Sequence, residues 1–304
     1  MPELPELEVI REVLQASVMG QRVLEIEVRR PLVLRDLTAE GFENGMTGRA
    51  FTAMARRGKF LLLRLSGPLS DSAGGSSPGV PSSGEPTPTR DRDLPRPGDR
   101  TLAINPMLSG RLQLCLPETR RLQYTQVILR LSDGQELRYA DRRTMGKLYL
   151  TDSLSHIPGW TEMGPDALDP ELAVERFCER FRSHRGEIKG ILSNARFVAG
   201  IGSAYADEIC FQARLYPFRK RPSLSQDGVT RLYQAMRSTL TKAVFQTRRI
   251  MGSDIHTKPR EFLAVHGKGG QPCPLCGSPI SQITARQRLT NFCRRCQPGS
   301  LITI

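Results

Sequence analysis

Cys273, Cys276, Cys293 and Cys296 form two Cys-x2-Cys units separated by sixteen residues. Together they supply four thiolates, the tetrahedral sulfur shell that Zn²⁺ prefers, and each unit can wrap a tight knuckle around the ion. The pattern has no fifth ligand and no open position, so a single zinc ion would be structural. At the other end the chain opens Met-Pro-Glu-Leu-Pro-Glu. If Met1 is removed, Pro2 presents a secondary amine, a nucleophile that can form an iminium with an electrophilic carbon. Glu3 beside it can act as a general acid if its pKa is raised or the substrate supplies a proton path. The same acidic start also reads as an ordinary helix cap, and at this point both readings stand. Between these ends, Lys189 to Glu208 reads as two helices around a turn containing Gly200 and Gly202, with Ser203 able to cap the second helix. Free backbone N–H groups at such a helix start suit a phosphate, and a packing-only role fits the residues equally well.

These residues need elements to hold them. Pro5 near a helix start, then Leu7, Ile10, Leu14 and Val18, predicts an amphipathic opening helix ended by Gly20. Short strand-like runs follow: VLEIEVRR, AFTAMAR, KFLLLRL, TLAIN, RLQLCL, QVILRLSDGQELRYAD and GKLYL, with Asp133-Gly134 as a hairpin turn. They predict an antiparallel β-sandwich or barrel with the first helix packed on it, an N-terminal domain over 2–150. Residues 66–100 are rich in Ser, Gly and Pro and hold too few large apolar groups to offset the entropy of ordering them, which predicts a disordered insertion between strands. Residues 151–170 read as a linker. Helical patterns at 171–182, 187–199, 203–213 and 227–245 predict a helical domain over 171–265, with a zinc ribbon over 266–304. The fold class expected is α+β.

Lys and Arg outnumber Asp and Glu 44 to 31, giving a formal charge of +13, which makes nucleic acid the leading partner. Arg286, Arg288, Arg294 and Arg295 lie in the ribbon, which contains no acid. Cys115, Cys178 and Cys210 are scattered, and seven cysteines in all suit metal binding in a reducing compartment better than a disulfide framework. No run approaches the roughly 18 apolar residues of a membrane helix, and the start lacks a signal-peptide pattern, so a cytoplasmic location without a membrane partner is expected.

At PELPELE (residues 2–8), Arg56-Arg57-Gly58-Lys59-Phe60, Asp141-x-Arg143-x-Met145-Gly146, the segment 188–208, and QPCPLCG with RLTNFCRRCQ, the sequence resembles the Fpg/Nei family. These are the formamidopyrimidine-DNA glycosylase and endonuclease VIII type of base excision repair enzymes. The match spans nearly the whole chain except 66–100. The resemblance implies a helix-two-turn-helix domain and a bifunctional glycosylase and abasic-site lyase acting through an iminium at Pro2. Elimination would follow at the β position, or at β and δ. Glu3 would be the general acid, Glu6 a support in the same pocket, and Lys59 a contact to phosphate beside the damaged sugar. An excised base must leave the stack, and the void must be filled. Arg143, Met145 and Leu108 match the positions that face the orphaned base and plug the gap. Lys189, Gly202, Ser203 and Arg288 match phosphate-contacting positions, while Tyr205 reads as packing. The implied partner is double-stranded DNA carrying damaged bases or abasic sites, met by a monomer in a bacterial nucleoid. The implied cofactor is one structural zinc with no organic group.

Three departures stand out: Asn105-Pro-Met-Leu108 at the void-filling strand, Ser203 after Gly202 where the family has Asn, and Asn194-Ala195 in the first turn helix. The stretch Arg249 to Pro259 is short and lacks a Gly-Gly-Thr-Thr-like loop, so a pocket for oxidised pyrimidines is expected, with ring-opened purines as further substrates. Two other functions share parts of the pattern: a protein that binds abasic or damaged DNA without cutting it, and a zinc-ribbon RNA-binding protein. The second gives no reason for Pro2, Glu3 and Lys59 together.

Overall fold

A computed structural model describes residues 1–67, 98–285 and 288–299. Most of the insertion expected at 66–100 and Arg286 of the basic ribbon lie outside the described residues.

Helix α1, Leu4–Val18, starts on Pro5 and buries Leu4, Leu7, Ile10, Leu14 and Val18, the stripe predicted from spacing. Gly20, at φ +79°, turns the chain into the first strand. Nine strands then build a sandwich: β1 Val23–Val28, β2 Leu34–Asp36, β3 Phe51–Arg57, β4 Phe60–Leu65, β5 Arg100–Asn105, β6 Gly110–Cys115, β7 Thr125–Leu131, β8 Glu136–Asp141 and β9 Lys147–Thr151. One sheet has the order β1-β7-β8-β6, the other β2-β9-β5-β4-β3. Every pairing in the sandwich is antiparallel except β2 with β9, where three residues pair in parallel. That strand was not read from the sequence, because Leu34-Arg35-Asp36 is too short for an alternating pattern to show.

Beyond β9 the chain is ordered and packed. Ile157 and Trp160 bury against Phe60 and Ala103, with Trp160 edge-on to Phe60 at 5.5 Å. The helical part comprises α2 Val174–Ser183, α3 Ile188–Leu192, α4 Ser203–Gln212 and α5 Gln226–Met251. Helix α3 ends seven residues earlier than the pattern over 187–199 predicts. Side-chain bonds compete with the helix there: Ser193 Oγ donates to Lys189 O (2.9 Å), and Asn194 Oδ1 accepts from Arg196 N (3.0 Å). Helix α5 opens with Ser225 capping Gly228 N (3.2 Å) and ends at Gly252, φ +54°.

Helix α1 touches both α5 and the strands β3 and β4, so the chain's first residues lie at the seam between sandwich and helices. The C-terminal strands β10 Ser281–Ala285 and β11 Arg288–Phe292 form an antiparallel hairpin. Phe211 of α4, Val265, Ile280, Cys273 and Cys293 share one apolar cluster that joins this hairpin to the helices. Among the described residues no helix is long and apolar enough to cross a membrane.

Candidate active site

The N-terminus of α1 meets the N-terminus of α4 end to end. Glu3 Oε2 accepts from Gly202 N at 2.6 Å and Tyr205 N at 3.3 Å, while Oε1 accepts from Ala204 N at 3.1 Å. The carboxylate therefore caps α4 and satisfies N–H groups that the helix itself cannot. The Gly200-Ile-Gly202 turn makes room for it. Gly200 has φ +105°, and a Cβ there would fall 2.7 Å from Leu4 Cδ1. A Cβ on Gly202 would fall 2.6 Å from Glu3 Oε1. Two expectations are corrected here. Gly202 gives its N–H to Glu3, leaving none for a phosphate. Ser203 does not cap α4; its hydroxyl donates to Leu289 O at 3.0 Å.

Glu6 lies one turn along α1, its Oε2 accepting from Glu3 N at 2.9 Å. Burial raises the Glu6 pKa above the ordinary carboxylate value, and the nearby Glu3 charge adds to this against Arg260. Burial acts on Glu3 too, but Arg260, Lys59 and the α4 backbone outweigh it and hold Glu3 below that value. Two neighbouring carboxyls are thus pushed in opposite directions, Glu3 down and Glu6 up. Of the two conditions for Glu3 as general acid, a raised pKa is not met in the free protein, which leaves a proton path supplied by the substrate.

Pro2 is buried and lines a narrow cavity with Glu6, Arg111 and Lys258. Lys59 sits half-buried at the β3–β4 turn, facing Glu3, Glu6, Arg260 and Arg288; burial is the largest influence on it and lowers its pKa. The turn is fixed from below. Arg56 Nε bonds Glu8 of α1 at 2.7 Å, its Nη2 bonds Asp166 at 2.9 Å, and Asp166 also accepts from Gly58 N at 2.9 Å. Asp166 was missed in the sequence. It stands among prolines that read as a linker, and nothing local signals its partner.

Leu108 and Met145 stand exposed, at 39% and 41%, on the loops after β5 and β8, with Arg143 exposed beside them. Asp141 ties the loops together, accepting from Arg143 N (3.1 Å), Gly146 N (2.7 Å) and the Ser109 hydroxyl. Met107 and Thr144 hold φ +47° and +55°, conformations non-glycine residues adopt only when their surroundings impose them. Asn105 Oδ1 accepts from Met107 N at 3.2 Å, giving that departure a structural task.

Lys189 is corrected as a phosphate contact. It is 6% exposed, donates to Leu289 O (2.6 Å) and Thr290 Oγ1 (2.8 Å), and forms an ion pair with Asp207 Oδ1 at 2.7 Å. It locks the ribbon hairpin to α3 and α4, where Asp207 also accepts from Asn291 N at 3.1 Å. Arg288, at the start of β11, remains exposed and reaches toward Lys59.

The four ribbon cysteines bring their sulfurs within 4.8 Å of one another, with Cys273–Cys296 at 3.9 Å and Cys276–Cys293 at 3.5 Å. A tetrahedron with Zn–S near 2.3 Å has S···S edges of about 3.8 Å. The residues fit zinc, and this is a zinc-binding site. Because the same cluster supports Phe211 and the Lys189–Asp207 joint, stripping the metal is expected to unfold the ribbon, free Arg288 and cut DNA affinity at least about tenfold. Titration with a chelator, followed by binding and circular dichroism, checks this; unchanged binding after complete zinc loss would contradict it.

Three family models match in order: the formamidopyrimidine-DNA glycosylase N-terminal domain over 1–148, its H2TH domain over 163–253, and the zinc finger found in FPG and IleRS over 270–299. The formamidopyrimidine-DNA glycosylase of Symbiobacterium thermophilum is 34% identical over 98% of this chain and 90% of its own length. The chain belongs to the Fpg/Nei family. A second Fpg-named relative, from Pelotomaculum thermopropionicum, is 31% identical over 98% of this chain and 99% of its own. Among solved structures, the Fpg protein (MutM) of Thermus thermophilus superposes with TM-score 0.76 at 28% identity, covering 98% of this chain and all of that one. The Lactococcus lactis Fpg in complex with an oxidised-pyrimidine-containing DNA gives 0.78 at 25%, with the same coverage. Membership in the Fpg/Nei family makes this chain a damaged-base DNA glycosylase.

Proposed function

We propose that this glycosylase acts on duplex DNA through the amine of Pro2, once Met1 is removed, and then nicks the backbone as an abasic-site lyase. The observation that carries the reading is the convergence of a buried Pro2 with Glu3, whose pKa is held down, Glu6, whose pKa is raised, and Lys59 at the seam of sandwich and helices. The Pro2 nitrogen bonds to C1′ of the damaged nucleotide as the C1′–base bond breaks, the base leaving with that bond's electrons and a proton. Opening of the C1′–O4′ bond, with a proton supplied to O4′ by way of Glu6, gives the iminium. Glu3 stabilises its positive charge. Loss of a C2′ proton then expels the 3′ phosphate by β-elimination, and water hydrolyses the iminium to release Pro2. Lys59 and Arg288 hold phosphates around the sugar, while Arg143, Met145 and Leu108 occupy the space a flipped nucleotide leaves.

Relatives named for formamidopyrimidines, and a solved relative bound to an oxidised pyrimidine, favour ring-opened purines and oxidised pyrimidines as substrates. The segment after α5 favours them too: Ile255, Thr257 and Lys258 fold down against Pro2 and Arg111, leaving a narrow cavity. Excision from duplexes carrying a formamidopyrimidine, dihydrouracil or 8-oxoguanine tests the assignment. The first two are expected to lead, and a strong preference for 8-oxoguanine would contradict the lesion class. A double substitution, Leu108→Ala with Met145→Ala, is expected to lower excision from duplex about 10- to 100-fold, the equivalent of about 1.4 to 2.7 kcal/mol. Nicking of an abasic single strand, which has no void to fill, should change far less; equal losses on both substrates would remove the void-filling role.

A further inference from the structure

We infer that Arg260 is a positioning residue of this active site: the segment after α5 carries it back over the start of α1, where its guanidinium clamps Glu3 and Glu6 and places a fixed positive charge beside the nucleophilic nitrogen. The inference rests on the reading of Pro2 as nucleophile and adds a residue that none of the matched motifs contains.

The geometry is specific to arginine. Nη2 lies 2.7 Å from Glu6 Oε1, Nη1 lies 3.6 Å from Glu3 Oε1, and Nη2 also donates to Met1 O at 3.2 Å. The guanidinium carbon stands 5.1 Å over the ring of Tyr205, which is fully buried and serves as the floor. A planar fork can bridge two carboxylates while stacked on a ring; a lysine ammonium cannot do both. The segment holding it is anchored by the buried Ile255 and by Leu263 N donating to Arg260 O at 3.1 Å. The side chain is only 18% exposed, so its charge is poorly screened.

Met1 O belongs to the amide whose nitrogen is Pro2. In an amide those two atoms are about 2.2 Å apart, so Nη2 lies no more than about 5.5 Å from the Pro2 nitrogen. The charged groups around that nitrogen are Glu3 and Glu6 from α1, Lys258 and Arg260 from the segment after α5, Lys59 from the β3–β4 turn, Arg111 from β6, and Arg288 beyond Lys59. Tyr205 faces it from α4. Basic side chains outnumber carboxyls there, and Arg260 pairs with both Glu3 and Glu6. Such a field disfavours the protonated form of an amine and so favours its nucleophilic form. The Met1 amine already behaves so: burial above all, then Lys258 and Arg260, pull it down to about 4.

The test is single-turnover nicking of a duplex with one abasic site, from pH 5 to 9, by parent, R260Q, R260K and K258Q proteins with verified N-termini. Binding to a duplex with an uncleavable abasic analogue serves as the folding control. R260Q is expected to move the acidic limb of the rate profile up by about one pH unit and to slow neutral-pH nicking about tenfold. R260K should restore the limb while keeping part of the rate loss, because it lacks the fork. K258Q should move the limb in the same direction. A limb fixed in both R260Q and K258Q, with rates lowered equally at every pH, would assign Arg260 to packing and overturn the inference. Failure of the parent itself to nick would instead remove the reading of Pro2 as nucleophile, so the two failures are distinguishable.

Discussion

Protein carrying a blocked or extended N-terminus is expected to lose strand cleavage by at least about a thousandfold while still binding duplex DNA with an abasic site. The reason lies in one atom. As an amide nitrogen, Pro2 has its lone pair delocalised into a carbonyl and cannot attack C1′; as a free secondary amine it can. The groups proposed to bind phosphate and fill the void, Lys59, Arg288, Arg143 and Met145, sit on other elements and are untouched by the block. Binding and chemistry should therefore separate cleanly. The comparison needs intact masses of both preparations, cleavage rates and affinities measured side by side. Cleavage that survives a verified block would place the nucleophile on another residue.

Glu3→Gln is expected to give the second largest effect, a fall in base excision of about 10²- to 10⁴-fold. It should also cost about 1 to 2 kcal/mol of stability, because a neutral amide is a poorer cap for the α4 N-terminus than a carboxylate receiving three N–H bonds. The pH dependence follows from the direction of the shift. Glu3 is held below its unfolded pKa of about 4.3, so its contribution is fully present above that value and is lost as pH falls through the folded pKa. The stability gap between parent and Glu3→Gln should therefore narrow on acidification. Glu6 has the opposite sign: its folded pKa is raised, so ionising it in place becomes unfavourable as pH rises. Glu6→Gln, which resembles the protonated acid, should destabilise the fold less at neutral pH. Thermal melts of both variants from about pH 2.5 to 8, reaching below the unfolded carboxylate pKa, check this, and a Glu3→Gln gap that widens toward acid would contradict it.

Much of this was legible in the sequence where a local rule applies. The stripe Leu7, Ile10, Leu14 and Val18 fixes a helix and its buried face, and alternating strands with Asp133-Gly134 fix a sandwich. Cys-x2-Cys pairs fix a metal site because the ligand set is short-range and chemically selective. What sequence could not provide was the state of groups whose partners lie far along the chain. Glu3 and Gly202 are 199 residues apart, and only their meeting reveals that the turn amides belong to a carboxylate. Lys189 has the type and position of a phosphate ligand, yet it is buried, bonded to Leu289 and Thr290 and ion-paired with Asp207. Asp166 and Arg260 sit in segments without periodicity, and their importance comes entirely from the elements they reach. Motif matching named residues that meet at the seam; the part Glu3 takes as the cap of α4 needed the fold.

The most direct measurement of the central claim is borohydride trapping on a duplex bearing one abasic site, with the adduct located by peptide mass mapping of zinc-loaded protein that begins at Pro2. The account predicts one covalent adduct per chain on the N-terminal peptide, at the Pro2 nitrogen, together with strand cleavage when borohydride is left out. An adduct on Lys59 or Lys258, or no adduct from protein that binds the duplex normally, would contradict it.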